Sequence, residues 1–406
     1  MQSIFISFLL LCQFSFGFAQ KNPIIPEPVS CQFSEGKYLK VAQIRFFCQP
    51  GQEVLIQNFS RQLTEFGIKQ IDFKKSGQKT ANLILEVGRK NQSAGNEAYH
   101  LNITPHLIHI TASSDTGLFY GLQSLLQLAV SNPVPSGFQT PCGTIQDNPR
   151  FGWRGLMLDE SRHFFGKEKV KKLLDWMAFY KLNRFHWHLT DSPGWRLEIL
   201  KYPKLTSVGA NGNFHDSSAP AAFYTQAEVK ELVQYAADRF IEVIPEIDMP
   251  GHAAAANRAY PEFNGGGSEK YPDFTFNPGK EETYVFLTDI LREVAELFPS
   301  KFIHLGGDEV HFGNQQWNTN PDIKALMQKY QLKDLQAVEF YFINRMTDSV
   351  AVLNKTIIGW DEIVTSGIPA EKCKTMWWRH DKPEQLTMAL ERGYHTILCP
   401  RIPLYF

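Results

Sequence analysis

The chain lacks an excess of charge of either sign. Lys and Arg number 41 against 42 Asp and Glu in 406 residues, a net charge of −1. Nucleic acid and anionic membrane surfaces are gripped by basic patches, so neither is an expected partner. Cysteine is scarce: six residues, with no CxxC pair among them. Cys31, Cys48, Cys142, Cys373 and Cys399 are widely spaced, which excludes a disulfide framework and a structural zinc site. Buried free thiols are the expectation, with a Cys31–Cys48 bridge as the alternative. No GxGxxG or GxxxxGK[ST] follows a strand-like run, so a nucleotide-binding fold has no support. The opening stretch MQSIFISFLLLCQFSFGFAQ is short for a membrane span and is interrupted by Gln13 and Ser15, so stable membrane insertion is not expected. Residues 1–19 are expected to be a secretory signal cut near Ala19, giving an exported protein, periplasmic or secreted. A lipid on Cys12 is the alternative there.

What is present is apolar and aromatic. Hydrophobic residues make up 43% of the chain, enough for a large core and more than one domain. Residues 21–147 are expected to form a small α/β domain. In YHLNITPHLIHITAS (99–113) two alternating strands flank a Thr104-Pro105-His106 turn. Leu118, Leu122, Leu125 and Leu126 then follow with helical spacing. The polar, proline-containing stretch 131–149 is expected to be the crossing to a second domain, 150–406.

From Arg154 the pattern becomes strand, polar loop, helix, and repeats. Strands are expected at 154–159, 184–191, 241–248, 302–309, 356–362, 374–380 and 395–400. Helices are expected at 167–180, 226–239, 281–298, 335–353 and 383–392. Continuous apolar strands alternating with amphipathic helices predict a parallel sheet covered by helices. Seven in one run fit a (β/α)8 barrel better than an open doubly wound sheet. The sequence stops just past the seventh, so the expected barrel is incomplete at its C-terminal side, without an eighth strand.

Five of the seven strands end in acids or aromatics with polar partners: Asp159, Asp191, Asp248, Asp308-Glu309 and Trp360-Asp361-Glu362. The strand C-termini of such a barrel form its active face. A single Asp there is often a helix cap, and Asp159 has that reading too, but five endings on one rim point to a site. Carboxylates with tryptophans, and no phosphate loop, suggest glycoside hydrolysis. That chemistry needs a protonated acid at the leaving oxygen and a second group to offset charge at the anomeric carbon. Adjacent carboxylates disfavour each other's ionisation, which keeps one protonated. Glu309, with the longer reach, is the expected acid, and Asp308 the charge stabiliser. The rival from the same residues is a metal-dependent barrel hydrolase using Asp191, His252, Asp308 and Glu309. Against it, no HxH leaves the first strand and no lysine is placed to bridge metals. His186 and His188, two apart, share one strand face and are expected to pack or hydrogen-bond.

The motifs RGLMLDESRHF, HWHLTD, PEIDMPGH, HLGGDEV and GWDE, in that order, closely resemble the family 20 glycoside hydrolases, the β-N-acetylhexosaminidases. The likeness covers nearly all of the chain after residue 20. It implies a cofactor-free, metal-free enzyme removing terminal GlcNAc or GalNAc from an oligosaccharide or glycoconjugate. The substrate's own 2-acetamido oxygen would attack the anomeric carbon, through an oxazolinium and with retention. Residue by residue, Glu309 matches the general acid/base and Asp308 the residue that orients the acetamido N–H. Asp191 and His252 match a relay toward Glu309. Arg162 matches an arginine fixing sugar hydroxyls, or else pairs structurally with Asp159. Asp248 is grouped with the substrate-binding residues as support for its loop. Trp360 and Trp378 match walls of the acetamido pocket, with Trp377 as the alternative at the second position. Tyr405 matches the tyrosine that bonds the acetamido oxygen. Ser192-Pro193 stand where the family often has a second acid, and the family's last strand has no counterpart here. A barrel that binds N-acetylhexosamine without turnover is therefore the alternative of another class. Oligomeric state leaves no mark in the sequence.

Overall fold

The computed structural model describes residues 22–88 and 95–405; the signal-like residues 1–19 and Cys12 lie outside them. Two compact units divide at Pro149/Arg150.

In the first unit the strands are β1 (Ser30–Val41), β2 (Gln43–Phe47), β3 (Asp72–Lys75), β4 (Leu83–Val87), β5 (Tyr99–Ile103), β6 (Ile108–Ala112), β7 (Pro133–Val134) and β8 (Gly137–Asp147). They form one sheet in the order β1-β8-β5-β6-β4-β2-β3, with β7 paired to β8. The helices are α1 (Glu53–Glu65) and α2 (Asp115–Ser131). Ser114 caps α2 by accepting from the Gly117 N–H, and Leu118, Leu122, Leu125 and Leu126 are buried. The expected hairpin around Pro105 is the antiparallel pair β5–β6. The stretch expected to be an interdomain crossing is corrected. Most of it is β8, an inner strand between β1 and β5. Phe138, Thr140, Cys142 and Ile145 are buried along it, and burial of these side chains overrides the local proline and glycine signals. Among the described residues the five cysteines are free.

The second unit carries seven parallel strands: β9 (Gly155–Asp159), β10 (Arg184–Thr190), β11 (Glu242–Ile247), β14 (Phe302–His304), β15 (Thr356–Trp360), β16 (Cys373–Trp377) and β17 (His395–Leu398). A small hairpin, β12 (Asn264–Gly266) and β13 (Thr275–Phe276), interrupts the count. The seven pair in sequence order, each parallel to the next. Helices α3 (Lys167–Phe179), α4 (Lys204–Ser207), α5 (Gln226–Ala237), α6 (Ala254–Ala259), α7 (Glu281–Leu297), α8 (Pro321–Tyr330), α9 (Leu335–Val352), α10 (Pro383–Glu391) and α11 (Arg401–Leu404) lie between and after them. This is an incomplete (β/α)8 barrel, whose edge strands β9 and β17 are not joined among the described residues.

Local signals place these elements. Thr225 and Glu228 make a reciprocal capping box at the start of α5, which satisfies two otherwise unpaired N–H groups. Asp334 caps α9 through the Ala337 N–H. Strand β10 is buried on both faces. Trp187 packs on Tyr224 and Phe298, and the alternate residues His186 and His188 face the other way. The strand expected over 302–309 ends at His304. Gly306 and Gly307 have φ of +67° and +85°, and Glu309 has φ +54°. Such backbone cannot continue a strand, and it turns the Asp308-Glu309 doublet out onto the rim.

Candidate active site

The rim begins after β9. Asp159 accepts the Arg162 backbone N–H at 3.0 Å and its Nη1–H at 2.9 Å. The same Nη1 lies 2.6 Å from Asp191 Oδ2, so the structural pairing with Asp159 and the rim position of Arg162 coexist. Burial opposes the guanidinium's charge, but Asp191 and Asp159 hold it more firmly charged than usual. Two buried residues fix this loop. Arg196 donates to five backbone carbonyls: Glu160, Ser161, Ala210, Gly212 and Ala222. Glu160 accepts from the Phe165 N–H and the Tyr224 hydroxyl, each at 2.7 Å.

A chain of charge runs from Arg162 to the doublet. Asp191 Oδ1 accepts from His252 Nδ1 at 3.0 Å. His252 Nε2 lies 3.4 Å from Asp308 Oδ2 and 3.6 Å from Glu309 Oε2. Burial works against an Asp191 charge, yet His252 and Arg162 hold its carboxyl well below the usual range. Burial likewise works against an imidazolium, but Asp191, Asp308 and Asp248 raise His252 well above its ordinary value. The cation facing the doublet thus comes from the loop after β11, more than fifty positions away in sequence. His252 has φ +54°, which aims its ring from a tight turn.

Asp248, grouped with the substrate-binding residues as support for its loop, is buried beneath the rim. Both its carboxylate oxygens are sealed from solvent without a hydrogen-bond partner. They press on Gly306, where any Cβ would collide with them. Burial and the charge of Asp308 push its pKa well up, and the carboxyl supports the turn of the doublet from beneath.

The aromatic wall follows β15 and β16. Trp360 and Trp378 meet edge to face at 6.4 Å. The Trp378 indole donates to Glu362 Oε2 at 3.2 Å. Trp377 donates instead to the Lys382 carbonyl, so Trp378 is the tryptophan on the Trp360 side. Tyr405 is 67% exposed. A cavity of about 470 Å³ opens beside the doublet, lined by Glu309, His311, Asn314, Glu339, Glu362 and Arg379 among others. Burial and the charge of Asp308 push Glu339 up to about 8. Burial and a hydrogen bond with Asp361 also push Glu362 well up. Glu339 is thus held largely protonated at pH 7, in the cavity that Glu309 also lines.

The model of the glycosyl hydrolase family 20 catalytic domain matches residues 151–406, and that of the family's domain 2 matches residues 21–148. The chain belongs to glycosyl hydrolase family 20. The β-hexosaminidase of Porphyromonas gingivalis is 42% identical over 295 residues, covering 70% of this chain and 38% of that protein. A Vibrio furnissii β-hexosaminidase is 39% identical, covering 68% of this chain and 47% of that one. The chain thus spans less than half the length of these two relatives. Among solved structures, the family 20 exo-β-N-acetylglucosaminidase of Vibrio harveyi, in complex with N-acetylglucosamine, superposes with a TM-score of 0.85 at 30% identity. That match covers 93% of this chain and 60% of the other. The β-N-acetylhexosaminidase of Bacteroides fragilis gives 0.81 at 34% identity, covering 93% and 75%.

Among the described residues of this family 20 chain, the metal-type donor sets are the groups His186/Glu246/His304, His188/Asp191/Asp248 and Asp248/His252/Asp308. Asp191 already carries a guanidinium at 2.6 Å and His252 is itself held cationic. Sequence reasoning missed Glu339, Arg379 and a role for Glu246. Glu339 stands in an amphipathic helix as an ordinary polar position. Glu246 was visible in PEIDMPGH, and strand alternation with Ile244 and Asp248 could have turned it inward.

Proposed function

We propose that the protein containing this chain is an exo-acting, retaining β-N-acetylhexosaminidase working by substrate-assisted catalysis. The observation that carries this reading is the Asp308-Glu309 doublet facing His252, with the Trp360–Trp378 pair close by. The acetamido oxygen attacks the anomeric carbon while Glu309 protonates the leaving glycosidic oxygen. Asp308 accepts from the acetamido N–H and offsets the positive charge of the oxazolinium. Glu309 then takes a proton from the water that opens the ring, restoring the acid. His252, tied to Asp191, presents its N–H to both carboxylates and favours proton release from Glu309. Arg162 holds sugar hydroxyls, while Trp360, Trp378 and Tyr405 enclose the acetamido group. The substrate is a terminal GlcNAc or GalNAc on an oligosaccharide or glycoconjugate.

Export to the periplasm or beyond is part of the same proposal and rests on the first twenty residues; among the described residues no helix is long and apolar enough to cross a membrane. The test of the activity is hydrolysis of nitrophenyl β-GlcNAc against nitrophenyl β-glucose by the full-length protein. The glucoside is expected to be inert even where it binds. Comparable turnover of the two would remove the acetamido from the mechanism and require a protein nucleophile.

A further inference from the structure

The interior of a (β/α)8 barrel is ordinarily filled by branched aliphatic side chains. Beneath this rim it is polar. Glu246 of β11 and His304 of β14 are fully buried, and His186 and His188 of β10 nearly so. His304 Nδ1 lies 3.0 Å from Glu246 Oε1, and His186 Nε2 lies 2.8 Å from Glu246 Oε2. His188 Nδ1 is 3.7 Å from the same oxygen. Burial opposes the charge of Glu246, but His188, His304 and His186 hold its carboxyl well below the usual range. An apolar residue of similar volume would fill this space without the desolvation penalty of a buried charge.

What the carboxylate does that an apolar side chain cannot is accept a hydrogen bond. Its Oε1 accepts the Trp360 indole N–H at 3.0 Å. The Trp360 ring packs on His304 at 4.8 Å and on His186 at 5.8 Å. Its backbone N–H donates to the Gly306 carbonyl at 2.9 Å, in the turn that carries the doublet. Gly306 N–H is in turn 3.0 Å from His304 Nδ1. Trp360 is therefore held at its backbone by the catalytic turn, along its ring by the histidines, and at its indole nitrogen by Glu246. The indole N–H is the contact that fixes the rotation of the ring.

We propose that Glu246 is a positioning residue for substrate selection: by holding the Trp360 indole N–H from inside the barrel, it sets the size of N-acyl group the pocket accepts. The inference rests on Trp360 being a wall of the acetamido pocket. Glu246 touches no substrate and takes no proton in the reaction.

The test uses the full-length protein and two chromogenic substrates, the N-acetyl-β-glucosaminide and its N-propionyl analogue. Glu246→Met keeps the volume and removes the acceptor; Glu246→Gln keeps an acceptor and removes the charge. The ratio of kcat/KM for N-acetyl over N-propionyl is expected to fall roughly tenfold in Glu246→Met, the loss of one buried hydrogen bond. Glu246→Gln should recover most of it. Trp360→Phe removes the same N–H from the other side and should lower the ratio alike, so the inference stays testable if Glu246→Met does not fold. A change confined to thermal stability, with the ratio at its wild-type value in Trp360→Phe or in folded Glu246→Met, would overturn the inference. So would one equivalent of tightly bound zinc that Glu246→Met abolishes, because Glu246 would then be a metal ligand. Failure of the underlying reading looks different: the wild-type protein itself would show no requirement for the 2-acetamido group.

Discussion

Replacing Glu339 with glutamine should stabilise the protein, and by more as the pH rises. In the unfolded chain this carboxyl ionises near 4.5, whereas burial and the charge of Asp308 keep it protonated up to about 8 in the folded state. Between those values the native state binds the extra proton, so this group makes wild-type stability fall with rising pH. Glutamine fills the same space and has no proton to lose. The span is roughly 3.5 pH units, and at about 1.4 kcal/mol per unit the ceiling is about 5 kcal/mol. Glu339 lines an open cavity and is only partly buried. Water reaching it reduces the effect, and about 1–3 kcal/mol is expected. Urea unfolding of both proteins at pH 5, 6.5 and 8 reads the difference directly. The two should nearly coincide at the lowest pH and diverge steadily above it. A variant no more stable than wild type at pH 8, or a difference that does not depend on pH, would refute the placement of Glu339 as a neutral acid beside Asp308.

Gly306→Ala should cost most of the activity, because φ is +67° and the new methyl would meet the Asp248 carboxyl. Thermal denaturation should show a loss of about 1–3 kcal/mol with it, and near-normal turnover would contradict the packing of Asp248 under the doublet. Arg196→Met should leave several buried carbonyls without donors and cost about 3–5 kcal/mol in chemical denaturation. A cost below about 1 kcal/mol would mean that water or other donors replace it.

The second unit was largely legible because five of its seven strands run into polar rim residues and the strands alternate with helices of clear periodicity. Asp159, Asp191, Asp308, Glu309 and Trp360 all lie at such ends. Strand β8 was hidden because Pro133, Pro135 and Gly137 signal a turn locally, while burial along the following residues decides the matter. The end of β14 was misjudged because FIHLGG is apolar and small throughout, and only the positive φ at Gly306 and Gly307 stops the strand. Asp248 appeared to be one more rim acid, yet its oxygens are covered by Gly306. The role of His252 toward the doublet, and the presence of Glu339 beside it, depend on contacts between distant loops and helices. No local pattern encodes those.

The central claim is that the substrate's acetamido group forms a cyclic cation held by Asp308. A thiazoline analogue of that bicyclic intermediate tests it most directly, with its inhibition constant measured for the full-length wild type and for Asp308→Asn. Wild type should bind the thiazoline at least about a hundredfold more tightly than it binds free GlcNAc, as analogues of high-energy states do. Asp308→Asn should lose most of that advantage while keeping its affinity for GlcNAc within a few fold. A thiazoline that binds wild type no better than GlcNAc, or equally well to both proteins, would contradict the mechanism.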